Sequence, residues 1–409
     1  MSNKSQRKTT DFDVLVIGGG MVGAVLSVAL NQAGFSVGLV EAERPNAFDA
    51  TGDYDLRVSA ISPASRYLLE NLGLWEHVAK QRISPYRGMR VWDAGGRALL
   101  EFEHTALGLP ELGHIVENNL IVDSAWAALS GVQMFCPAKL SDVVVEEDYA
   151  EAVLDDDTRI SAKLIVGAEG AGSPVRKYSG IRTTGWAYGQ RCTVGSVKTE
   201  LSHQAIAWQR FLPTGPVAFL PLADGSCSLA WHADEALAKE LAELDDQDFC
   251  KRLTEASGAI LGEVISIGKH AAFPLRLMHA DEYVRPRIAL AGDAAHVLHP
   301  MAGQGVNLGL LDVAVLTEVL ERGQKAGRDL GDITLLKRYQ RARKADNMLM
   351  MAATDGIKRL FGTDTPLFGR LRDRGIAAVD AFTPLKQLMI RNAAGLTGEL
   401  PPLLRQSTP

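Results

Sequence analysis

Three groups of residues in this 409-residue chain have types and spacings that could do chemistry. Gly18, Gly20 and Gly23 fit the pattern GxGxxG. In it the first glycine allows a tight turn, the second lets a phosphate approach the backbone, and the third lets helix and strand pack closely. Glu41, at the end of the next apolar run, is placed to accept hydrogen bonds from adenosine ribose hydroxyls. A second cluster runs from Gly292-Asp293 through Pro300 to Gly303-Gln304-Gly305. Asp293, at a strand's C-terminal end, can hold a ribityl or ribose hydroxyl, and residues 303–305 open a helix whose unpaired N–H groups suit negative charge. An isoalloxazine ring gathers such charge at N1 and C2=O when reduced, and a helix N-terminus stabilises it by about 0.3–1 kcal/mol, rising to about 2 kcal/mol when partly buried. Reduced flavin is the ligand that explains this arrangement best. The third group, Leu164 to Arg176, is a strand running into a glycine-rich turn with one acid, Glu169, and by itself it also reads as an ordinary strand exit.

The elements that must position these groups can be read from the apolar pattern. Phe12 to Ile17 is a short β-branched run of the kind buried on both faces of a parallel sheet. An apolar helix to Ala33, a Gly34 stop and a strand from Ser36 to Val40 complete a βαβ unit. The middle of the chain changes character. Gln190 to Val197, Ala205 to Phe211, Val217 to Leu222 and Ser226 to Trp231 read as strands of a largely antiparallel sheet, separated by turns at Pro213–Pro216 and Asp224-Gly225. A helix-like acidic stretch, Asp234 to Ala256, follows, and Ile288 to Ala291 returns to the buried-strand style. Trp208, Arg210, Phe219 and Trp231 could face a substrate, although aromatic residues in strands commonly pack the core.

Composition narrows the function classes. With 43 Lys plus Arg against 49 Asp plus Glu, a net charge of -6 and no basic run, the chain lacks the electrostatic footprint of a nucleic-acid binder. Cys136, Cys192, Cys227 and Cys250 form no CxxC pair, so inert reduced thiols are expected. His296 and His299 lack further ligands nearby, and Pro300 beside them favours a loop-shaping role over a metal site. The N-terminus lacks the apolar core of a signal peptide and no apolar run is long enough to cross a bilayer. A cytoplasmic protein is expected, with any membrane contact peripheral and on the inner face. Basic and apolar residues at helical spacing between Asp355 and Leu404 suit an interfacial helix or, equally, helices that cover the nucleotide domain.

Together the three groups resemble the single-component FAD-dependent aromatic hydroxylases typified by para-hydroxybenzoate hydroxylase. That family carries GxGxxG, a mid-chain DG motif and a later GD motif, matched here by Gly18–Gly23, Glu169-Gly170 and Gly292-Asp293. The run from Ala294 to Asp312 is similar to the ubiquinone-biosynthesis hydroxylase branch. Leu56–Ile61, Gly113–Asn118, Phe219–Leu222 and Arg341–Asn347 share that likeness. The resemblance implies FAD as cofactor and NADH or NADPH as electron donor. It also implies hydroxylation of a polyprenylated phenol or quinol by molecular oxygen through a flavin C4a-hydroperoxide. Arg57 would then contact the FAD phosphate or ribityl region, Asn118 would lie beside the cofactor, Glu169 and Asn307 would join the binding set, and Pro300, Gly303, Gln304 and Gly305 would line the reacting face of the flavin. Where the family has Asp, this chain has Glu169, which displaces the carboxylate by a methylene.

The expected fold is α/β. A Rossmann-like FAD-binding domain (1–75, 113–182 and 276–330) is interrupted by a mainly antiparallel β-sheet substrate domain (76–112 and 183–275) and followed by C-terminal helices (331–409). A reductase or dehydrogenase of an isoprenoid on the same fold is the first alternative. A non-catalytic FAD-binding subunit of a lipid-biosynthesis complex is the second. For the hydroxylase, the resemblance also implies a ubiquinone-biosynthesis complex as a partner.

Overall fold

The computed structural model describes residues 10–95, 99–299, 305–361 and 383–406. The apolar run FDVLVI forms β1 (Phe12–Ile17), buried almost throughout, as a strand covered on both faces must be. Parallel neighbours flank it: β2 (Val37–Val40) on one side and β11 (Arg159–Gly167) on the other. The sheet extends in parallel to β8 (Gln133–Phe135) beyond β2 and to β18 (Ile288–Leu290) beyond β11. β17 (Val284–Arg285) closes that edge antiparallel to β18, and the hairpin β9 (Leu140–Val145) and β10 (Ala150–Leu154) hangs from β11. Between β1 and β2 runs α1 (Met21–Gln32), with Gly23 to Leu30 all buried, wedged between this sheet, α4 (Asn118–Ala127) and α8 (Gly305–Lys325).

A second sheet has the order β19 (His296–Val297), β16 (Val264–Ala280), β12 (Thr183–Thr199), β15 (Cys227–Asp234), β14 (Gly215–Pro221), β13 (Ile206–Leu212), β5 (Gly88–Asp93) and β6 (Leu99–Glu103). Its pairings are antiparallel except β5 with β13, which are parallel because β5 enters from a distant part of the chain. The expected strand at Gln190–Val197 is the middle of the much longer β12. The expected acidic helix is two helices, α6 (Glu235–Glu243) and α7 (Asp246–Ser257). Asp234 and Asp245 each cap one of them, accepting from Leu237 N and Asp248 N at 2.9 Å, so a second cap inside the stretch restarts the helix. Trp231 and Phe219 pack with Phe249 and Leu253 under α6 and α7, and Arg210 donates to the Ala256 carbonyl at 2.9 Å. Trp208 joins the same layer. None of these four residues is therefore positioned to meet a substrate on the other face of the sheet.

A small third sheet, β4 (Ser84–Tyr86), β7 (Gly113–Glu117) and β3 (Val58–Ile61), lies between the two, its Ala60 and Ile115 packed on Leu220 and Leu222. The remaining helices are α2 (Pro63–Asn71), α3 (Trp75–Ala79), α5 (Pro174–Tyr178), α9 (Ile333–Phe361) and α10 (Thr383–Ala393). Of the basic and apolar C-terminal stretch, residues 362–382 lie outside the described residues.

Two buried histidines give this fold an acid sensitivity. His114, against the Trp75 ring at 5.0 Å, is pushed down to about 4 by burial and then by Arg66. His279 is pushed down to about 4 by burial, then by Lys344 and His296. Both stay neutral in the fold and titrate near 6.5 when unfolded. The stability this confers is complete above pH 6.5 and is lost as pH falls toward 4. Urea midpoints measured across that range should fall with acid in the wild type and fall less steeply in His114→Gln.

Candidate cofactor and active site

The turn from β1 into α1 has no slack. Gly18 has a φ of +100°, and a Cβ there would lie 2.7 Å from the Ala168 carbonyl oxygen. A Cβ on Gly23 would collide with the Gly18 carbonyl oxygen. The space over Gly20 is open, with no atom within 4 Å of a Cβ position. Gly20 is the N-cap of α1 and gives no side-chain cap, and the first turn holds no acidic residue, so its N–H groups face outward unopposed. Glu41 accepts from Gly19 N through Oε2 and from Glu43 N at 3.1 Å through Oε1, which brings the carboxylate beside the glycine turn. Trp126 of α4, not foreseen from the sequence, donates to the Gly19 carbonyl at 2.7 Å.

Arg57 sits at the end of an exposed loop whose shape is imposed from elsewhere. Its guanidinium lies 5.3 Å from the Phe273 ring centroid on β16, and its carbonyl accepts from Asn118 N at 3.0 Å. The Asn118 side chain accepts from Ser59 Oγ at 2.6 Å. Behind the loop stands Arg82, which donates to both carboxylate oxygens of buried Glu117 at 2.8 and 2.9 Å and to the carbonyls of Ala50, Gly52 and Asp53. It also stacks 4.3 Å from the Tyr54 ring centroid. Glu117 Oε1 accepts from Asp55 N at 2.7 Å as well. No sequence pattern announces Arg82, because its partners come from two other segments.

At the second cluster, Asp293 lies in the Gly292–Ala294 turn that follows β18. Burial raises its pKa, and His296, Arg57 and Arg276 pull it back. Arg276, also unforeseen, lies close enough to Arg176 to help depress that guanidinium, whose main cause is burial. Arg57 and Arg276 thus bring positive charge to Asp293, while Arg176 donates to the Ala294 carbonyl at 2.7 Å and the Ala171 carbonyl at 2.8 Å and braces the turn. Glu169 accepts from Ser173 Oγ at 2.7 Å and from Val175 N at 2.9 Å, so its carboxylate closes the start of α5. Burial raises its pKa against those two bonds. Asn307 is engaged in the same way: its amide accepts from Ser62 N at 2.9 Å and donates to the Ala60 carbonyl at 2.8 Å, tying α8 to β3. Both side chains hold the frame around these turns. Gly305 begins α8, whose first turn contains no acid, with open space where its Cβ would be. Pro300, Gly303 and Gln304 lie outside the described residues.

The face of the second sheet opposite α6 and α7 carries Gln209, Leu220 and His232 by strand alternation. There the His232 and His299 rings lie 4.9 Å apart, and Tyr188 meets His299 edge-on at 4.9 Å. Burial pushes the Cys192 and Cys227 thiols up to about 12, leaving them inert.

The uncapped α1 N-terminus, the acid-free first turn of α8, and a carboxylate near each glycine turn fit a long anionic cofactor of dinucleotide type. A family model described as an FAD binding domain matches residues 11–354. The chain is 38% identical over 387 residues to the 3-demethoxyubiquinol 3-hydroxylase of Escherichia coli, covering 94% of this chain and 98% of that one. It is 39% identical over 402 residues to the ubiquinone hydroxylase UbiL of Rhodospirillum rubrum, covering 97% and 93%. The chain belongs to the FAD-dependent ubiquinone hydroxylase family. Its fold is that of p-nitrophenol 4-monooxygenase PnpA from Pseudomonas putida, with a TM-score of 0.76 at 20% identity over 94% of this chain and 98% of that one. FAD is the cofactor of this hydroxylase family.

Arg82 offers a direct check on how the Arg57 loop is held. Arg82→Ala leaves Glu117 buried without its cation and should lower unfolding free energy by about 1–3 kcal/mol. Titration of the apoprotein with FAD, followed by flavin fluorescence, should show weaker binding; unchanged affinity would detach the loop from the cofactor.

Proposed function

We propose that the protein hydroxylates the aromatic ring of a polyprenylated phenol or benzoquinol in ubiquinone biosynthesis, using FAD, NADH or NADPH and molecular oxygen. The observation that carries this reading is the match along nearly the whole length of the ubiquinone hydroxylases. Bound FAD supplies the oxygen-activating redox chemistry. The α1 N-terminus and Arg57 hold its phosphates, Glu41 its adenosine ribose, Asp293 its ribityl chain, and the α8 N-terminus favours the charge that reduction places on the ring system. Asn118, Glu169 and Asn307 keep these groups in register. The reading assigns Pro300, Gly303, Gln304 and Gly305 to the reacting side of the flavin, and the sheet face bearing His232 to the substrate ring. Burial of this face keeps water from the reacting ring.

The same reading assigns 1–75, 113–182 and 276–330 to the FAD-binding domain, 76–112 and 183–275 to the substrate domain and 331–409 to the C-terminal region. A polyprenyl tail is insoluble, so substrate delivery calls for contact with a lipid surface. No helix among the described residues is long and apolar enough to cross a membrane. Met348 and Leu349 on α9, with Leu388 and Met389 on α10, expose apolar side chains and suit peripheral contact from the cytoplasmic side, alone or within a biosynthetic complex.

Turnover under labelled dioxygen tests the activity. Product from a short-chain prenylated methoxyphenol should carry one labelled oxygen atom per NAD(P)H oxidised. NAD(P)H consumption with label appearing only in hydrogen peroxide or water would sink the hydroxylase and favour a reductase. In flotation with anionic vesicles, Leu349→Glu with Leu388→Glu should bind less than wild type; equal flotation would remove those residues from the membrane contact.

A further inference from the structure

A buried charge cluster ties α8 and α9 to the Gly292 turn. Asp312, on the third turn of α8, is fully buried. Its Oδ2 accepts from Gly292 N at 3.0 Å and pairs with His296 Nε2 at 2.6 Å. Its Oδ1 accepts from Arg343 Nε of α9 at 2.7 Å. Arg343, 2% exposed, also donates to Asn347 Oδ1 at 2.8 Å and to the Leu308 carbonyl at 3.3 Å. Asn347 in turn donates to Tyr283 Oη at 3.2 Å, where His279 Nε2 also bonds at 3.1 Å. Burial alone would raise the Asp312 pKa, but His296 and Arg343 more than offset it, so the carboxylate is held ionised.

A steric contact of independent origin meets this cluster at the same place. Gly292 has a φ of +59°, and a Cβ on it would lie 2.9 Å from Val22 Cγ2 in the first turn of α1. A Cβ on Gly309 of α8 would lie 2.6 Å from the same methyl and 3.3 Å from Gly292 Cα. The α1 start, the Gly292 turn and α8 therefore approach to less than a side chain's thickness, with Val22 between two glycines. Asp312 supplies the hydrogen bond that fixes the turn in that contact. Asp293 is the next residue of that turn, and Gly305 opens the same helix two turns before Asp312.

We propose that Asp312 is a positioning residue for the flavin: by holding Gly292 N–H against α8 it sets the direction of Asp293 and the separation of the two helix N-termini, and so sets FAD affinity and reduction potential. Arg343 holds the other carboxylate oxygen, Oδ1, so its loss falls more on stability than on the Gly292 contact. The inference rests on FAD as the ligand and not on hydroxylation as the reaction.

Asp312→Asn, Arg343→Gln and Gly309→Ala test it, with thermal unfolding, FAD affinity and flavin midpoint potential read on each. Asp312→Asn should raise the FAD Kd about tenfold, the scale of one weakened hydrogen bond to a charged group. If the reduced flavin is affected tenfold more than the oxidised, the potential falls by about 30 mV. Arg343→Gln leaves Asp312 Oδ2 on Gly292 N and should therefore lower stability more, and shift Kd and potential less, than Asp312→Asn does. Gly309→Ala reaches the same contact by pushing α8 off Val22, and should shift Kd and potential in the same sense even if Asp312→Asn does not fold. Wild-type flavin properties in Asp312→Asn or in Gly309→Ala would overturn the proposal. So would flavin shifts that track loss of stability equally in all three variants. A wild-type protein that binds FAD but hydroxylates nothing would sink the proposed activity and leave this test in place.

Discussion

A side-chain carbon on Gly23 would strike the Gly18 carbonyl oxygen, and one on Gly309 would press on Val22. The rest of the molecule is arranged around that lack of room. A helix start is useful to an anion only where its N–H groups are free and no side chain intervenes. Two such starts can serve one elongated ligand only if the backbones that carry them lie side by side. Here α1 and α8 pack directly on each other, with the Gly292 turn filling the crevice between them. Bulkier residues at these positions would move one N-terminus away from the other, and the second sheet and small third sheet would then have nothing in register to close upon.

Much of the nucleotide-binding half was legible because its signals are local. Apolar β-branched residues from Phe12 to Ile17, glycines at fixed offsets and an acid at the next strand's end occur in one continuous stretch, where periodicity and turn chemistry suffice. The antiparallel character of the second sheet was legible for the same reason, from alternating strands and turn residues. The aromatic residues of that sheet were harder to place. Trp208, Phe219 and Trp231 share a face by alternation, but which face α6 and α7 cover depends on how those helices fold back, and no residue in the strands records it.

The side chains that set the geometry of the candidate site were less visible. Trp126 and Gly19 are 107 positions apart, Asn307 and Ala60 247, Arg82 and Glu117 35. Each looks like an ordinary helix or loop residue until the fold brings its partner alongside. Glu169 and Asn307 show a related effect. Their types suggest ligand contact, yet both bond to neighbouring backbone and side-chain groups and contribute by keeping a turn or helix in place. Spacing alone cannot separate a group that binds from one that holds the binder.

The strand order has a bearing on how such a chain comes into being. β1 lies beside β11, and β11 beside β18, so the first sheet joins residues near 15, 165 and 289. The second sheet likewise needs β5, near residue 90, to wait for β13, near 208. A chain emerging from its N-terminus therefore holds unpaired strand edges through most of its synthesis, and neither sheet is complete until about residue 297 has been added. Contacts of such long sequence separation slow folding and prolong exposure of edges that invite association. The interleaving that places one sheet over the other is also what makes the two halves acquire structure together, with no nucleotide-binding half able to finish ahead of its partner.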